Sequence, residues 1–347
     1  MVKRIGALAT SRGAAFVQFT GDLIDGYLTS ADQQRLQYAN FKRALEPYWG
    51  SIPFICAPGN HEAHSRLFYD TQGQTYYSID RYPYADSSAE ALFASEFANP
   101  ISSLRSEDGA AYDPDPTVQN FPPYGETVFT YSYGNTAMVV LNSNYWYTVQ
   151  QRHVPHVSGN IHAYIMDNQL AWLAHQLDSL ERDPAIAHVF VTCHTPIFPN
   201  GGHVQDDMWY RGDNRPRPYV AGKPVAKGIL ERRDEILDLL VNKSTKVRAT
   251  LTGDEHNYCR TQITEAMPRY PEGWTGPRLA LKRTIWQINN GSAGAPYYAQ
   301  EQTPWSAFTQ AFTTQVALVF VHVNGDKLEV EVQNPDTLEV IDRFTLR

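Results

Sequence analysis

Four short apolar runs in this chain each end in a residue able to hold a metal ion. The run 14–20 ends in Gly21-Asp22-Leu23-Ile24-Asp25, and the run 52–57 ends in Pro58-Gly59-Asn60-His61-Glu62. Residues 189–193 lead into His194, and 249–252 lead into Gly253-Asp254-Glu255-His256. A short carboxylate can bridge two cations, an amide oxygen can coordinate one, and an imidazole can ligate a metal or move a proton. Open α/β sheets place their ligands at the carboxyl edge of the strands, where all of these residues fall. Two cations about 3.5–4 Å apart, bridged by a carboxylate, can hold a hydroxide and a phosphoryl group for in-line displacement. Asp22, Asn60, His194, Asp254 and His256 are of the types that this work needs. His61, beside Asn60, is placed to serve as general acid or to stabilise the transition state. Any one piece is a weak signal, and the repetition at four strand ends is the specific one.

The elements that must position these groups read as an α/β pattern. Residues 3–12 resemble the tail of a helix that Gly13 ends, and no strand precedes it. The run 14–20 is apolar on both faces, as a central parallel strand would be. Leu36, Tyr38, Phe41, Ala44 and Leu45 predict a helix over 31–48, closed by Pro47 and Gly50, and 52–57 completes a right-handed βαβ unit. From 64 to 125 the periodicity dissolves into an aromatic-rich stretch carrying Tyr69, Tyr76, Tyr77, Tyr82, Tyr84, Tyr112 and Tyr124. Such a stretch either lies over the ligand edge near the site or packs on itself at the surface. A hairpin is expected over 127–133 and 136–142 around Gly134-Asn135. Helices are expected over 167–180 and 229–241, and strands over 284–289, 316–323, 327–333 and 338–344. With no repeat, low-complexity tract or linker, residues 1–347 read as one domain.

Composition sets outer limits. The 347 residues are 42% hydrophobic and 19% charged, an ordinary balance for a globular chain able to bury a core. A formal charge of −8 with no basic face argues against a nucleic-acid polymer or an anionic membrane as partner, while leaving open a small phosphorylated substrate held through cations. Cys56, Cys193 and Cys259 are too few for a disulfide framework and read as buried thiols. No apolar run approaches the ~20 residues of a membrane span, and no signal peptide is visible. The chain as it stands is therefore expected in the cytoplasm, with export open to a form carrying an upstream segment. Oligomeric state is not legible.

The ordered set Gly21-Asp22, Gly59-Asn60-His61, His194 and Gly253-x-x-His256 resembles the calcineurin-like metallophosphoesterase superfamily, and within it the non-purple relatives of the purple acid phosphatases. The resemblance implies a four-layer αββα sandwich of two mixed β-sheets with a dinuclear centre at one edge. It implies two divalent ions (Mn, Fe, Zn or Mg), with Asp22 bridging, Asn60, His194 and Asp254 on one ion, His256 on the other, and His61 as the catalytic histidine. The activity implied is hydrolysis of a phosphomonoester or phosphodiester by a metal-bridging hydroxide. Two departures stand out. The family's first motif, Asp-x-His on the first strand, is absent, because residues 1–21 contain neither Asp nor His. Either the chain starts downstream of its natural beginning, or one metal site is lost. In the second case the protein is a catalytically incomplete metal- or phosphate-binder on the same scaffold. The other departure is Asp254 itself, where the family has a histidine; a carboxylate there favours harder ions.

Neighbouring residues carry weaker readings. Asp25, where purple acid phosphatases carry an iron-ligating tyrosine, reads as structural or supporting, and Glu62 as a carboxylate that fixes its loop. His203 reads equally as a phosphate contact or a plain loop residue. His64 reads as structural, and His153, His156 and His162 as solvated or hydrogen-bonded loop residues. The run 291–294 reads as a place for tight backbone packing.

Overall fold

The computed structural model describes residues 1–69, 76–149 and 157–346. In chain order it contains α1 (Val2–Ser11), β1 (Val17–Phe19), α2 (Ala31–Leu45), β2 (Phe54–Cys56), β3 (Ser65–Tyr69), β4 (Tyr76–Asp80), α3 (Tyr84–Ser87) and α4 (Ala89–Glu96). Then come β5 (Phe129–Tyr133), β6 (Thr136–Val140), α5 (Asp167–Arg182), β7 (His188–Thr192), β8 (Tyr219–Val220), β9 (Lys223–Pro224) and α6 (Ile229–Leu237). The chain closes with β10 (Val247–Thr252), β11 (Tyr258–Ile263), β12 (Ile285–Asn290), β13 (Thr309–Thr313), β14 (Leu318–Asn324), β15 (Lys327–Gln333) and β16 (Val340–Leu346).

A seven-stranded mixed sheet in the order β13-β11-β12-β10-β7-β6-β5 forms the centre. Its inner pairs β12–β10, β10–β7 and β7–β6 are parallel, and its outer pairs are antiparallel. Strands β6 and β7 are buried at every residue, which explains their unbroken apolar reading. Alternation along them assigns the faces. Ala137, Val139, Val189 and Val191 join Trp172, Leu173 and Leu177 of α5 and Ile229, Leu230, Ile236 and Leu237 of α6 in one core. Met138 and Phe190 point the other way, onto Leu328, Val330 and Val332 of β15 and Leu346 of β16. Ile55 and Ala57 beside β2 meet Phe129 and Val140 on this second face. Outermost, Tyr38, Phe41 and Leu45 of α2 and Leu92 and Phe93 of α4 cover Phe19 and Cys56. The result is the expected order of helices, sheet, sheet and helices.

The second β layer departs from expectation. It consists of a parallel pair, β1–β2, and an antiparallel sheet, β14-β15-β16, which share no hydrogen-bonded strand among the described residues. Strand β1 therefore pairs only with β2, and its residues are half-buried. Its pattern reads as central because both faces are covered: Phe19 packs edge-on against Phe41 of α2 at 5.3 Å, and Phe16 packs against Tyr131 of β5 at 5.4 Å. Burial by layers imitates burial by neighbouring strands.

The stretch 64–125 is structured where it is described. β3 and β4 pair antiparallel, and α4 starts at a cap in which Ser88 Oγ accepts from the Ala91 N–H at 3.1 Å. Glu107, fully buried, accepts from the hydroxyls of Tyr124 (2.5 Å) and Tyr112 and from the N–H groups of Asn168 (2.9 Å) and Gln169 (3.0 Å) at the start of α5. These tyrosines pack inward, on the frame, and Tyr82 is exposed. The side chains of Tyr69, Tyr76 and Tyr77, together with His153 and His156, lie outside the described residues. All three cysteines are free and buried. No helix among the described residues is long and apolar enough to cross a membrane.

Candidate metal centre

The parallel pairs β1–β2 and β7–β10 deliver Asp22, Asn60, His194 and Asp254 just beyond their carboxyl ends. Close approach is secured by glycine. At Gly21 (φ +114°) a Cβ would stand 2.6 Å from His194 Nδ1 and 2.8 Å from the Gly59 nitrogen. One at Gly59 would stand 2.9 Å from His194 Cγ. Any side chain there would push the ligand loops apart. Asp22 (φ +54°) and Asp254 (φ +64°) both hold left-handed backbone, a strained conformation that persists where the surroundings dictate it.

Asp22, His194 and Asp254 offer ligand atoms that all lie within 4.8 Å of one another. His194 Nε2 is 3.1 Å from Asp22 Oδ2 and 3.3 Å from Asp254 Oδ1. Its other nitrogen, Nδ1, donates to the Thr20 carbonyl at 2.9 Å, so the neutral ring turns a lone pair toward two carboxylates. Those acceptors can coexist only around a proton or a cation. Without metal the proton resolves it. Burial alone would lower the His194 pKa, but Asp22 and Asp254 outweigh it and hold the ring well above its ordinary value. Burial pushes the Asp22 carboxyl up, and His194 more than cancels this. Asp254 is likewise opposed by burial but driven well below the carboxylate range by His162, His203 and His194.

Asn60 supplies the test of fit. Its Nδ2 donates to the Tyr27 hydroxyl, while Oδ1 is buried with no hydrogen-bond partner. An orphaned amide oxygen costs about 1–3 kcal/mol unless something else satisfies it. Oxygen donors from Asp22, Asn60 and Asp254 with one imidazole nitrogen suit a divalent ion of the Mn, Fe, Zn or Mg kind.

The surroundings are fixed by two acids. Glu62 accepts from the N–H groups of Asp22 (3.0 Å), Leu23 (2.8 Å) and Gly59 (2.5 Å), tying the first two ligand loops together as its loop-fixing reading requires. Glu255 accepts from Asn200 (2.9 Å), Gly201 (2.8 Å) and His203 (3.3 Å), doing the same for the loop after β7. Burial raises both carboxyls to about 7. His61 Nδ1 donates to the Asp25 carbonyl at 2.6 Å, so Asp25 supports through its backbone. That bond leaves His61 Nε2, 3.9 Å from Asp22 Oδ2, on the open side. His64 is buried and bonded to Gln34 Oε1 at 3.0 Å, a structural position, with its pKa lowered to about 4 by burial. Gly291 packs against the backbone of Glu255, as read.

His256 joins neither ligand cluster: its Nδ1 donates to the Pro296 carbonyl at 2.6 Å, and its ring stacks on Tyr298 at 4.0 Å. Of the two readings of His162, solvated or hydrogen-bonded loop residue, the second holds: it lies in a turn, buried, with Nε2 2.7 Å from Asp254 Oδ2 and 3.1 Å from Asp207 Oδ1. Tyr27, Asp206 and Asp207 also line this region unannounced by spacing. The hydroxyl partner of Asn60 sits five residues beyond Asp22, which no motif marks.

Layering and candidate ligand set together define an α/β sandwich with a candidate metal centre at the strand ends. The profile of the calcineurin-like phosphoesterases (Metallophos) matches residues 2–258, and the chain belongs to that family. Its fold is similar to that of the purple acid phosphatase PPD1 from yellow lupin (Lupinus luteus) seeds, with 16% identity and a TM-score of 0.58. The alignment covers 99% of this chain and 48% of that one, so the chain spans about half the length of the lupin protein. PhoD is similar at 13% identity and a TM-score of 0.50, over 99% of this chain and 65% of PhoD. GAP50, the anchor in the inner membrane complex of Plasmodium, is similar at 13% identity and 0.51, over 100% of this chain and 82% of that protein. No curated protein matches the sequence.

Proposed function

We propose that this chain hydrolyses a small phosphate ester at a divalent cation held by Asp22, Asn60, His194 and Asp254. Membership of a phosphoesterase family supports the reaction class. The observation that carries the reading is the set of ligand atoms of Asp22, His194 and Asp254 within 4.8 Å of one another, together with a buried Asn60 Oδ1 that has no partner. Asp22, Asn60, His194 and Asp254 would hold the cation, which when bound would supply charge withdrawal from a phosphoryl oxygen and a more acidic water. Asn60 and His194, held by Tyr27 and Thr20, would present their free acceptor atoms to that cation already oriented. His61, anchored through Nδ1, would give its Nε2 proton to the leaving oxygen as the phosphorus–oxygen ester bond breaks, while water forms the new bond to phosphorus and releases a proton to solvent.

The second reading, a metal- or phosphate-binder without turnover, draws on His256, which the family likeness assigns to the second ion and which stands outside both clusters. Metal content of the purified chain, beside hydrolysis of p-nitrophenyl phosphate and bis-p-nitrophenyl phosphate with added manganese, separates the two. Bound metal with turnover lost in Asp22→Asn supports the enzyme. Bound metal with no turnover of either ester sinks it in favour of the binder.

A further inference from the structure

We infer that Asp254 also serves a second divalent-cation site, built by His162, His203 and Asp254 with Asp207 behind them. The inference rests on the reading of Asp254 as a ligand given above. It places a second ion among His162, His203 and Asp254, with no contribution from β1.

The ligand atoms of His162, His203 and Asp254 lie within 4.8 Å of one another. His203 Nδ1 donates to Asp206 Oδ1 at 3.1 Å, which fixes the ring and leaves Nε2 facing Asp254 Oδ1 at 3.4 Å. A carboxylate holding one imidazole nitrogen so that the other can ligate is the usual support behind a metal-bound histidine. A separation of 3.4 Å is long for a hydrogen bond and suits two ligands of one ion at about 2.0–2.2 Å from each, the ion lying off the line between them.

His162 Nε2 faces two carboxylates at once, Asp254 at 2.7 Å and Asp207 at 3.1 Å. One N–H satisfies only one of them. Asp207 is fully buried, and its Oδ2 has no hydrogen-bond partner. A buried carboxyl oxygen left without a donor is an unmet demand, which a proton or a cation answers. Asp207, Asp254 and Glu255 are all buried here. Two imidazoles and two carboxylates form a mixed nitrogen–oxygen set suited to Mn, Fe or Zn.

Asp254 Oδ1 faces His194 and His203, and Oδ2 faces His162. One carboxylate therefore looks into both clusters, as a bridging ligand does. This also gives a reason for aspartate at 254, since a single imidazole nitrogen could not serve two ions.

The test is manganese content of the full 347-residue protein after dialysis, together with Mn(II) electron paramagnetic resonance. Two ions per chain with an exchange-coupled spectrum are expected. The double variant His162→Gln/His203→Gln should fall to one ion with an uncoupled spectrum, and that remaining ion should be lost in Asn60→Ala. If the double variant fails to fold by circular dichroism, His203→Gln alone, on a half-buried loop residue, must weaken the second ion at least tenfold and uncouple the spectrum. One ion in wild type, lost in Asn60→Ala and kept in the histidine variants, overturns the second site and leaves the proposed function standing. Two ions retained in the histidine variants also overturn it. No ion in wild type overturns both.

Discussion

Glu62→Gln tests whether the loop-fixing acid shapes the centre. Glu62 Oε2 accepts from the Asp22 and Gly59 N–H groups and Oε1 from Leu23 at 2.8 Å. Glutamine has a single acceptor oxygen. Turned toward Asp22 and Gly59 it keeps two bonds, but its NH2 then confronts the Leu23 N–H, donor against donor. The loss is one charge-assisted bond, roughly 1.5–3 kcal/mol, plus an unsatisfied buried donor pair of about 1–3 kcal/mol. Relief from burying a charged carboxylate offsets part of this, leaving a net cost of about 2–4 kcal/mol. At about 2 °C per kcal/mol the melting temperature should drop by roughly 4–8 °C. Leu23 follows Asp22, whose left-handed backbone depends on this clamp, so manganese affinity should fall about 10–100-fold. Calorimetric melting and manganese titration of wild type and variant read both effects. Unchanged melting and unchanged affinity would refute the claim that Glu62 holds the ligand loops.

Three other outcomes follow from the same geometry. His61→Ala should lower kcat by about 10²–10⁴-fold with metal content unchanged, since its ring anchors through Nδ1 and is no ligand here; a loss of bound metal instead would mean that His61 coordinates. Gly21→Ala should cost at least about 2 kcal/mol and much of the metal affinity, because its Cβ would stand 2.6 Å from His194 Nδ1 at φ +114°; a variant as stable as wild type contradicts the close-approach argument. Burial raises the Glu90 carboxyl from 4.5 to about 7. The folded state therefore holds that proton more tightly than the unfolded chain. Its contribution to stability is complete below pH 4.5 and fades as pH rises through about 7. Glu90→Gln keeps the Oε1 acceptor for the Trp146 N–H and should gain up to about 3 kcal/mol relative to wild type at pH 8, with no gain at pH 4. Urea midpoints at both pH values check this, and equal shifts at the two would exclude the linkage.

Much of the frame was legible because its signals are local. The hairpin around Gly134-Asn135, the strand Lys327–Gln333 and the helix starting at Asp167 follow from turn chemistry and periodicity. So does the position of Asp22, Asn60, His194 and Asp254 just past strand ends, because a strand that stops at such a residue type marks itself. The polar strands were not legible. β11, Tyr-Cys-Arg-Thr-Gln-Ile, and β13, Thr-Gln-Ala-Phe-Thr, owe their state to pairing with each other and with β12 rather than to apolar alternation. His162, Asp206 and Asp207 escaped for a related reason. They come from loops before α5 and after β7, and only the folded chain brings them to Asp254. The interruption of the second β layer was hidden because α2 and the large sheet make β1 look enclosed.

The rings of His61, His194 and His256 are each steered by a main-chain carbonyl, at Asp25, Thr20 and Pro296. A peptide oxygen is present whatever side chain its residue carries. The aim of these imidazoles is therefore written into the path of the backbone, and positions 25 and 296 are free to change identity while the rings stay put. Mutational scanning should find those two positions permissive and the histidines intolerant. A lineage could drift widely in sequence around such a centre and still pass its ring geometry on intact.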